Sequence, residues 1–449
     1  MRRPGALFLT LSGITPAASV FVIGSDVIAQ AGSGAVIAFA VAMIVCIPVA
    51  LAYAELSSAF PLSGAEYSIL GRVLGPAWGF MALGLNIVGG ALAQAVTALG
   101  LAAYLDVAIP GTPVLAAALA AVALSTLIAI LNIRTNALVT GAFLATEILV
   151  LAAMSAVGFS HPHASAIHAL IHPVGAGAGG AIAPVSLAVI GVATAGAVYA
   201  YNGFGAAVCF GEELRDAPRR IAWVILWALV IGVVCEALPI TAVIVGAPDL
   251  GAILAAPSPA SAFIATAGPL FAKIVSLGVA AAIVNAMIAV TLQNARQLYA
   301  TGRDGVWPAP LNRAFRAIHP RFRSPHVATV VMGALAAGAC FMGLRLLVVL
   351  TATGIVVIYA GVCVGALVGR RAGSTAGGHY RMPWFPWAPL LGLAALGAMI
   401  VADLADPTVG RLSLVANLAV MGLFAGYYAA FIKGRGRWRL TGPDGALSN

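Results

Sequence analysis

Charged side chains are scarce in this chain: Asp, Glu, Lys and Arg together make up 8% of 449 residues, and only 14 of them are acidic. Soluble domains carry about a quarter charged residues, so that class is excluded. Cysteine is sparse as well. The five, Cys46, Cys209, Cys235, Cys340 and Cys363, have neither metal-ligand nor redox spacing and read as small apolar packing residues. Short alternating segments of the kind that build a membrane β-barrel are missing. The buried ionisable residues Asp26, Glu147, Glu236 and Asp403 are scattered, and no paired acids, Ser with its base or His cluster share one depth. No catalytic residue, cofactor or metal is therefore expected.

What the chain has instead is apolar length. It is 62% hydrophobic with a mean hydropathy of +1.04, which marks an integral membrane protein. A helix needs about 20 apolar residues to cross a bilayer. Twelve such stretches can be placed, at about 6–30, 34–58, 78–104, 112–131, 137–159, 184–210, 220–246, 262–298, 326–344, 346–369, 384–404 and 411–432. The predicted class is all-α integral membrane with twelve transmembrane helices. A single transmembrane domain would fill residues 1–433, with 434–449 as a short tail.

In a soluble protein the net charge of +9 would suggest nucleic acid; here it sorts by side. With twelve spans, all of the 23 Lys and Arg except Lys273, Arg345 and Arg411 fall on the side of the two ends. An excess of Lys and Arg marks the cytoplasmic face. Both termini are thus expected in the cytoplasm, in the cell (inner) membrane, with no nucleic-acid partner. Arg2-Arg3 before an apolar run looks superficially like a secretion signal. The run continues too far, without a convincing cleavage site, for that reading.

Two stretches interrupt their spans. Leu11–Phe21 places Gly13, Thr15, Pro16 and Ser19 where a membrane helix should be most regular. Proline removes an amide donor and crowds the carbonyl four residues back, while glycine resists unwinding little. Either the helix kinks against its neighbours, or it is broken near mid-membrane; a broken backbone must then line a cavity or meet a ligand. The second stretch, Tyr199–Glu213, has Asn202, Gly203 and Gly205 at mid-span and paired acids, Glu212 and Glu213, at its end. Broken helices of this kind mark the central site of secondary transporters.

Other polar residues inside spans are functional candidates. Asp26 lies about 10 Å beyond the first break at 1.5 Å per residue, which suits a vestibule. Glu147 in the fifth span is either a proton carrier or a protonated side chain bonded to a neighbouring helix. Gly89 and Gly90 in the third span either let helices approach closely or leave volume for a substrate. His168 and His172 stand four apart in the Ser160–Ala183 loop, as metal ligands can. No Cys, Asp or Glu accompanies them, and a solvated loop is the simpler reading.

Several motifs resemble one family. Ala54-Glu55-Leu56, Pro61-x-Ser63-Gly64, Tyr67 and Gly79-Phe80 are similar to the helix 2 to helix 3 signature of the amino acid, polyamine and organocation transporter superfamily. Asn132-Ile133-Arg134 resembles its Asn-x-Arg turn. Arg296-x-x-Tyr299-Ala300-x-x-Arg303-Asp304-Gly305-x-x-Pro308 resembles the end of its helix 8, whose Arg-Asp pairs would clamp an inner gate. The likeness runs from about residue 5 to 430.

The resemblance implies a LeuT-like 5+5 inverted repeat with helices 1 and 6 broken. The repeats would span about 6–159 and 184–369, with helices 11 and 12 (384–432) peripheral. It also implies alternating-access transport of an amino acid by a permease, with a polyamine or small amine as the alternative. A membrane-embedded enzyme or a sensor would be the reading from another class. At the first break Ile14, Thr15, Ala17, Ala18 and Ser19 would meet the substrate, the free amides of the last three taking a carboxylate. At the second, Ala200, Tyr201, Asn202, Gly203 and Gly205 would line the site, with the carbonyls of Ala200, Tyr201 and Asn202 accepting from an ammonium. Such half-helix ends suit a zwitterion. Glu147 would replace a sodium ion as the proton-coupling group, so the expected partners are a small-molecule substrate, a proton and the lipid bilayer. The chain departs from the family's pattern in three places. Pro16-Ala17-Ala18-Ser19 replaces Gly-x-Gly, Gly205 stands where many relatives have an acid, and Gly89-Gly90 replaces a carboxylate found in some polyamine importers.

Overall fold

The computed structural model describes residues 3–131, 133–177, 181–434, 438–442 and 445–446. The first expected span is divided. α1 (Arg3–Ile14) stops at Thr15, which takes a left-handed backbone conformation at φ 58° and ψ 57°. Pro16 then opens the short α2 (Pro16–Ala18) from the first helical position, where its missing N–H costs nothing. A π-helical segment (Ser19–Gly24) and α3 (Ser25–Ala31) follow. Gly32, at φ 54°, turns the chain into α4 (Ala35–Ala59).

After α4 the chain forms α5 (Ala65–Val73), α6 (Pro76–Ala108), α7 (Val114–Ala129), α8 (Ile133–Ser160) and α9 (Ala166–Ile171). Leu70, Val73 and Leu74 suggest a short amphipathic helix on the cytoplasmic face for the α5 segment; in the structure the segment is tucked in, with Ala65 through Gly71 all buried. A small antiparallel hairpin, β1 (Val174–Ala176) with β2 (Ile182–Pro184), precedes α10 (Leu187–Ala200). Next come a 3-10 helix (Phe204–Glu213), α11 (Ala217–Gly246), α12 (Leu250–Ala255), α13 (Pro259–Ala265) and α14 (Pro269–Arg303). The chain ends through α15 (Ala309–Phe315), α16 (His326–Ala339), α17 (Leu344–Arg371), α18 (Trp387–Ala405), α19 (Gly410–Tyr427) and the two-residue strands β3 (Thr441–Gly442) and β4 (Gly445–Ala446).

Among the described residues, nine stretches are long and apolar enough to cross a membrane. The first, Arg3–Ala59, runs through both of the first two expected spans. α7 and α16, with 16 and 14 residues, are shorter than the ~20 that a full crossing takes. The eighth expected span starts later than 262, because Gly268 at φ 108° and Pro269 separate α13 from α14.

α4 packs along α11 and α6 along α14, with α1 held between α8, α11 and α14. Outward faces carry large apolar side chains such as Ile44, Leu127, Leu149, Leu187, Leu270, Phe341, Leu391 and Leu423, all exposed. Exposed apolar surface on this scale is stable only against lipid. The chain is a multi-pass membrane protein.

Candidate functional site

The two interruptions touch. Gly203 has φ 120°, and a Cβ built on it would lie 2.8 Å from the Gly13 carbonyl oxygen and from the Ile14 N and Cα. Only glycine fits there, on grounds of both dihedral and space. The Ser19 hydroxyl bridges the gap, lying 3.0 Å from the Ile14 carbonyl oxygen and 3.0 Å from that of Ala200. One hydroxyl proton serves two carbonyls, each at the open end of a helix. Beyond Gly203 the backbone does not resume as an α-helix. It winds as a ten-residue 3-10 helix, a form seldom longer than four residues and one that marks a hinge or strain.

Glu147, on α8, reaches the first break. The Asn285 carboxamide, from α14, donates to its Oε1 at 2.8 Å, and the Ala17 N–H points at its Oε2 from 3.5 Å. Asn285 also lies 3.5 Å from the Ser12 hydroxyl. A carboxyl group of the protein thus stands where the resumed helix offers its first amide. The Ser19 amide is committed in this conformation, donating to the Thr15 carbonyl at 2.8 Å.

A cavity of about 130 Å³ opens beside the breaks. Gly13, Asn202, Gly203 and Gly205 contribute its wall at that end. Ile14, Thr15, Ala17, Ala18, Ser19, Ala200 and Tyr201 do not line it; they are buried around the junction. Gln293 and Asn294 of α14 line it too, Gln293 against Gly13 and Asn294 against Gly90. Their side-chain nitrogens are buried without a hydrogen-bond partner, so they present unused donors to whatever enters. Asn202 accepts from the Tyr359 hydroxyl at 2.8 Å. The place of Tyr359 in the tenth span allows either a residue near the central cavity or an interfacial aromatic, and the structure puts it in the cavity wall.

The departures from the family's pattern acquire physical reasons. A Cβ on Gly205 would meet the Tyr53 ring at 2.8 Å, so the ring fills the volume that an acidic side chain would need. Tyr53 donates in turn to Glu66 at 2.8 Å, and Asn86 and Gln297 donate to the other carboxylate oxygen at 2.9 and 3.3 Å. Glu66 also lines the cavity. Burial raises its pKa above the usual carboxylate range, against those hydrogen bonds. Gly89 and Gly90 divide the two roles considered for them. Gly89 has open space beside it, while a Cβ on Gly90 would strike the Asn294 carboxamide at 2.5 Å.

On the face that carries most basic residues, ions and a tail lock the loops. Arg303 forms a two-pronged pair with Glu212 at 2.7 and 2.9 Å, and Arg296 meets Glu213 at 2.8 Å. The acids ending the second break are thereby tied to the end of α14. Arg370 pairs with the buried Glu55. Asp304 accepts from the amide and hydroxyl of Thr441, at 3.1 and 2.6 Å, and from Tyr67 at 3.2 Å, while the Trp438 indole donates to Tyr67 at 2.6 Å. Burial lifts the Asp304 carboxyl to about 6. Arg2, Asn132, Arg435, Arg437 and the side chain of Arg134 lie outside the described residues. His168 and His172 are exposed on and just after α9, with ring centres 5.1 Å apart. Asp26 accepts from Gln30 at 2.6 Å within α3.

Residues 4–425 match the family model described as amino acid permease. The chain is 30% identical over 434 residues to an uncharacterized transporter of Mycobacterium tuberculosis, covering 95% of this chain and 90% of the relative. A branched-chain amino acid permease of Bacillus subtilis is 26% identical over 369 residues, 75% of this chain and 74% of its own. A low-affinity putrescine importer of Escherichia coli is 22% identical over 372 residues, 81% and 80% respectively.

Proposed function

The chain belongs to the amino acid permease family and is a membrane transporter, not an enzyme; on that premise we propose that it carries an amino acid across the cell membrane by proton-coupled alternating access. The architecture we propose has twelve spans, the 5+5 inverted repeat and both termini in the cytoplasm. The reading rests on one observation above the others: two interrupted helices touch at Gly203 and Ile14 beside a cavity that Asn202, Gln293 and Asn294 help to line. Peptide groups freed at one point within a membrane suit an ammonium and a carboxylate held a fixed distance apart.

In this scheme the breaks, packed together here with Ala17, Ala18, Ala200 and Tyr201 off the cavity wall, open to substrate, and the carbonyls at Ala200, Tyr201 and Asn202 accept from its ammonium. The carboxylate is held by the α2 amides of Ala17 and Ala18, supported by the unused donors of Gln293 and Asn294. Ile14, Thr15 and Ser19 shape the first break, while Gly203 lets the two breaks touch and Gly205 admits the Tyr53 ring. Glu147 carries the proton. Its carboxylate and that of the substrate compete for the Ala17 amide, so protonating Glu147 releases the donor that the substrate needs. Proton and amino acid then bind together, which is symport; exchange follows if the loaded carrier returns faster than the empty one.

A small amine or polyamine is the second reading. Glu66 in the cavity wall favours it, and so does the likeness to a putrescine importer. Uptake of labelled amino acids into proteoliposomes, with unlabelled amino acids and putrescine as competitors, separates the two. Competition by putrescine alone would replace the first reading with the second.

A further inference from the structure

Glu236 sits within α11, fully buried, and neither of its carboxyl oxygens has a hydrogen-bond partner. Among the described residues no ion pair reaches it. Its direction follows from its neighbours one turn away on the same face. Gly232 lies against the Ile14 side chain at 3.3 Å, and Ile240 fills the space beside Gly24. Residues 232, 236 and 240 are successive i, i+4 positions, so Glu236 faces the interrupted first span between Ile14 and Gly24, where the backbone is π-helical. π-Helical turns inside α-helices recur at functional sites.

The surroundings explain why the group is not a packing accident. Tyr201, the last residue before the second break, and Cys46 of α4 lie within electrostatic reach of Glu236. The Tyr201 hydroxyl is also buried without a partner, its ring packed edge-on against Phe39 at 5.4 Å. Pro239, inside α11, removes the donor that would have served the Cys235 carbonyl. Cys235 is the residue that feels both Glu236 and Glu147. Two buried polar side chains without hydrogen-bond partners, Glu236 and Tyr201, thus flank the breaks. An ionised carboxylate there would face no cation and would be prohibitive; a carboxylic acid is tolerable and has a proton to give.

We propose that Glu236 is a second proton-binding carboxyl of this transporter, a group distinct from Glu147, and that Tyr201 reports its state to the break in the sixth span. While the breaks are packed as seen here, Glu236 holds its proton. When they open, its O–H bond breaks, the electron pair stays on the carboxylate and the proton passes to admitted water. The Tyr201 hydroxyl then donates to the carboxylate, drawing the end of α10 toward α11. The groups facing this site are Tyr201 from α10, Cys46 from α4, Cys235 from α11 itself and, beyond Cys235, Glu147 from α8.

The inference builds on the transport reading, but its test does not depend on finding the substrate. Infrared spectra of the full-length protein in lipid, titrated in H2O and D2O, resolve protonated carboxyl groups by their C=O stretch. The E236Q variant should lose one such band that wild type and E147Q retain. Y201F should keep the band and move its disappearance to higher pH, because the hydroxyl that stabilises the carboxylate is gone. An unchanged carboxylic acid region in E236Q overturns the proposal, as does a Y201F titration identical to wild type. If E236Q does not accumulate as folded protein, the Y201F titration decides alone. Should E147Q keep its proton-dependent uptake while E236Q loses its band, the Glu147 reading falls and the Glu236 assignment stands.

Discussion

Gly203 presses against Ile14 so closely that a methyl group at position 203 would come within 2.8 Å of the Ile14 Cα and N. The contact seats one interrupted helix on the other. Gly203→Ala must strain a backbone at φ 120° and also push the α1 end aside. Non-glycine residues in such regions cost about 1–3 kcal/mol each. The expected result is a protein that inserts in the membrane, melts several degrees lower and transports at a small fraction of the wild-type rate. Melting in detergent together with uptake in vesicles checks both parts.

Glu147 is held by Asn285 at 2.8 Å and faces the Ala17 amide. Glu147→Gln keeps the shape and the Asn285 contact but cannot exchange a proton. Wild-type uptake should rise as the outside is acidified. The variant should bind substrate with little dependence on pH and should not concentrate it on a proton gradient. Proteoliposomes with an imposed pH difference measure this, and unchanged proton dependence would remove Glu147 from the mechanism.

Tyr53 occupies the space that Gly205 leaves and hands its hydrogen bond to Glu66. Tyr53→Phe leaves one Glu66 oxygen without its donor, a loss of about 1–3 kcal/mol for a buried group. The melting temperature should fall by a few degrees whether or not substrate is present. Glu66→Gln should weaken any cationic competitor more than a neutral amino acid; equal effects on both would exclude Glu66 from substrate selection.

Asp304 receives the tail residue Thr441 and carries a proton more readily than a free aspartate, with its carboxyl lifted from 3.8 to about 6. The folded state therefore binds the proton more tightly than the unfolded state. The resulting stabilisation is complete below about pH 3.8 and disappears as pH rises through about 6. Its full size is about 3 kcal/mol at 1.36 kcal/mol per unit. Asp304→Asn should flatten the melting temperature between those pH values, and wild type should lose stability relative to it as pH rises. A parallel pair of curves would contradict the assignment.

The parts of the site legible in the sequence are those with local causes. Thr15–Ser19 and Asn202–Gly205 could be located without coordinates because each gathers helix-breaking and polar residues within a few positions, whereas the lone Pro48 and Pro239 leave α4 and α11 continuous. Glu147 stood out because a carboxyl inside a span needs a reason. What escaped depends on residues far apart in the chain. Tyr53 blocking Gly205, Glu66 reaching the cavity from a helix expected at the surface, Gln293 and Asn294 facing Gly13 and Gly90, and Thr441 on Asp304 all arise from packing between distant segments. The 3-10 winding of Phe204–Glu213 was illegible too, since nothing in its composition separates it from an α-helix. The short lengths of α7 and α16, 16 and 14 residues, are likewise a feature that hydropathy does not register.

The central claim is that peptide groups at the two breaks hold both charges of an amino acid. Melting of the purified wild-type protein with each α-amino acid, its decarboxylated amine and its methyl ester tests this directly. The account predicts that at least one amino acid raises the melting temperature and that the paired amine and ester do not. Stabilisation by the amine at least as great as by the amino acid would contradict it.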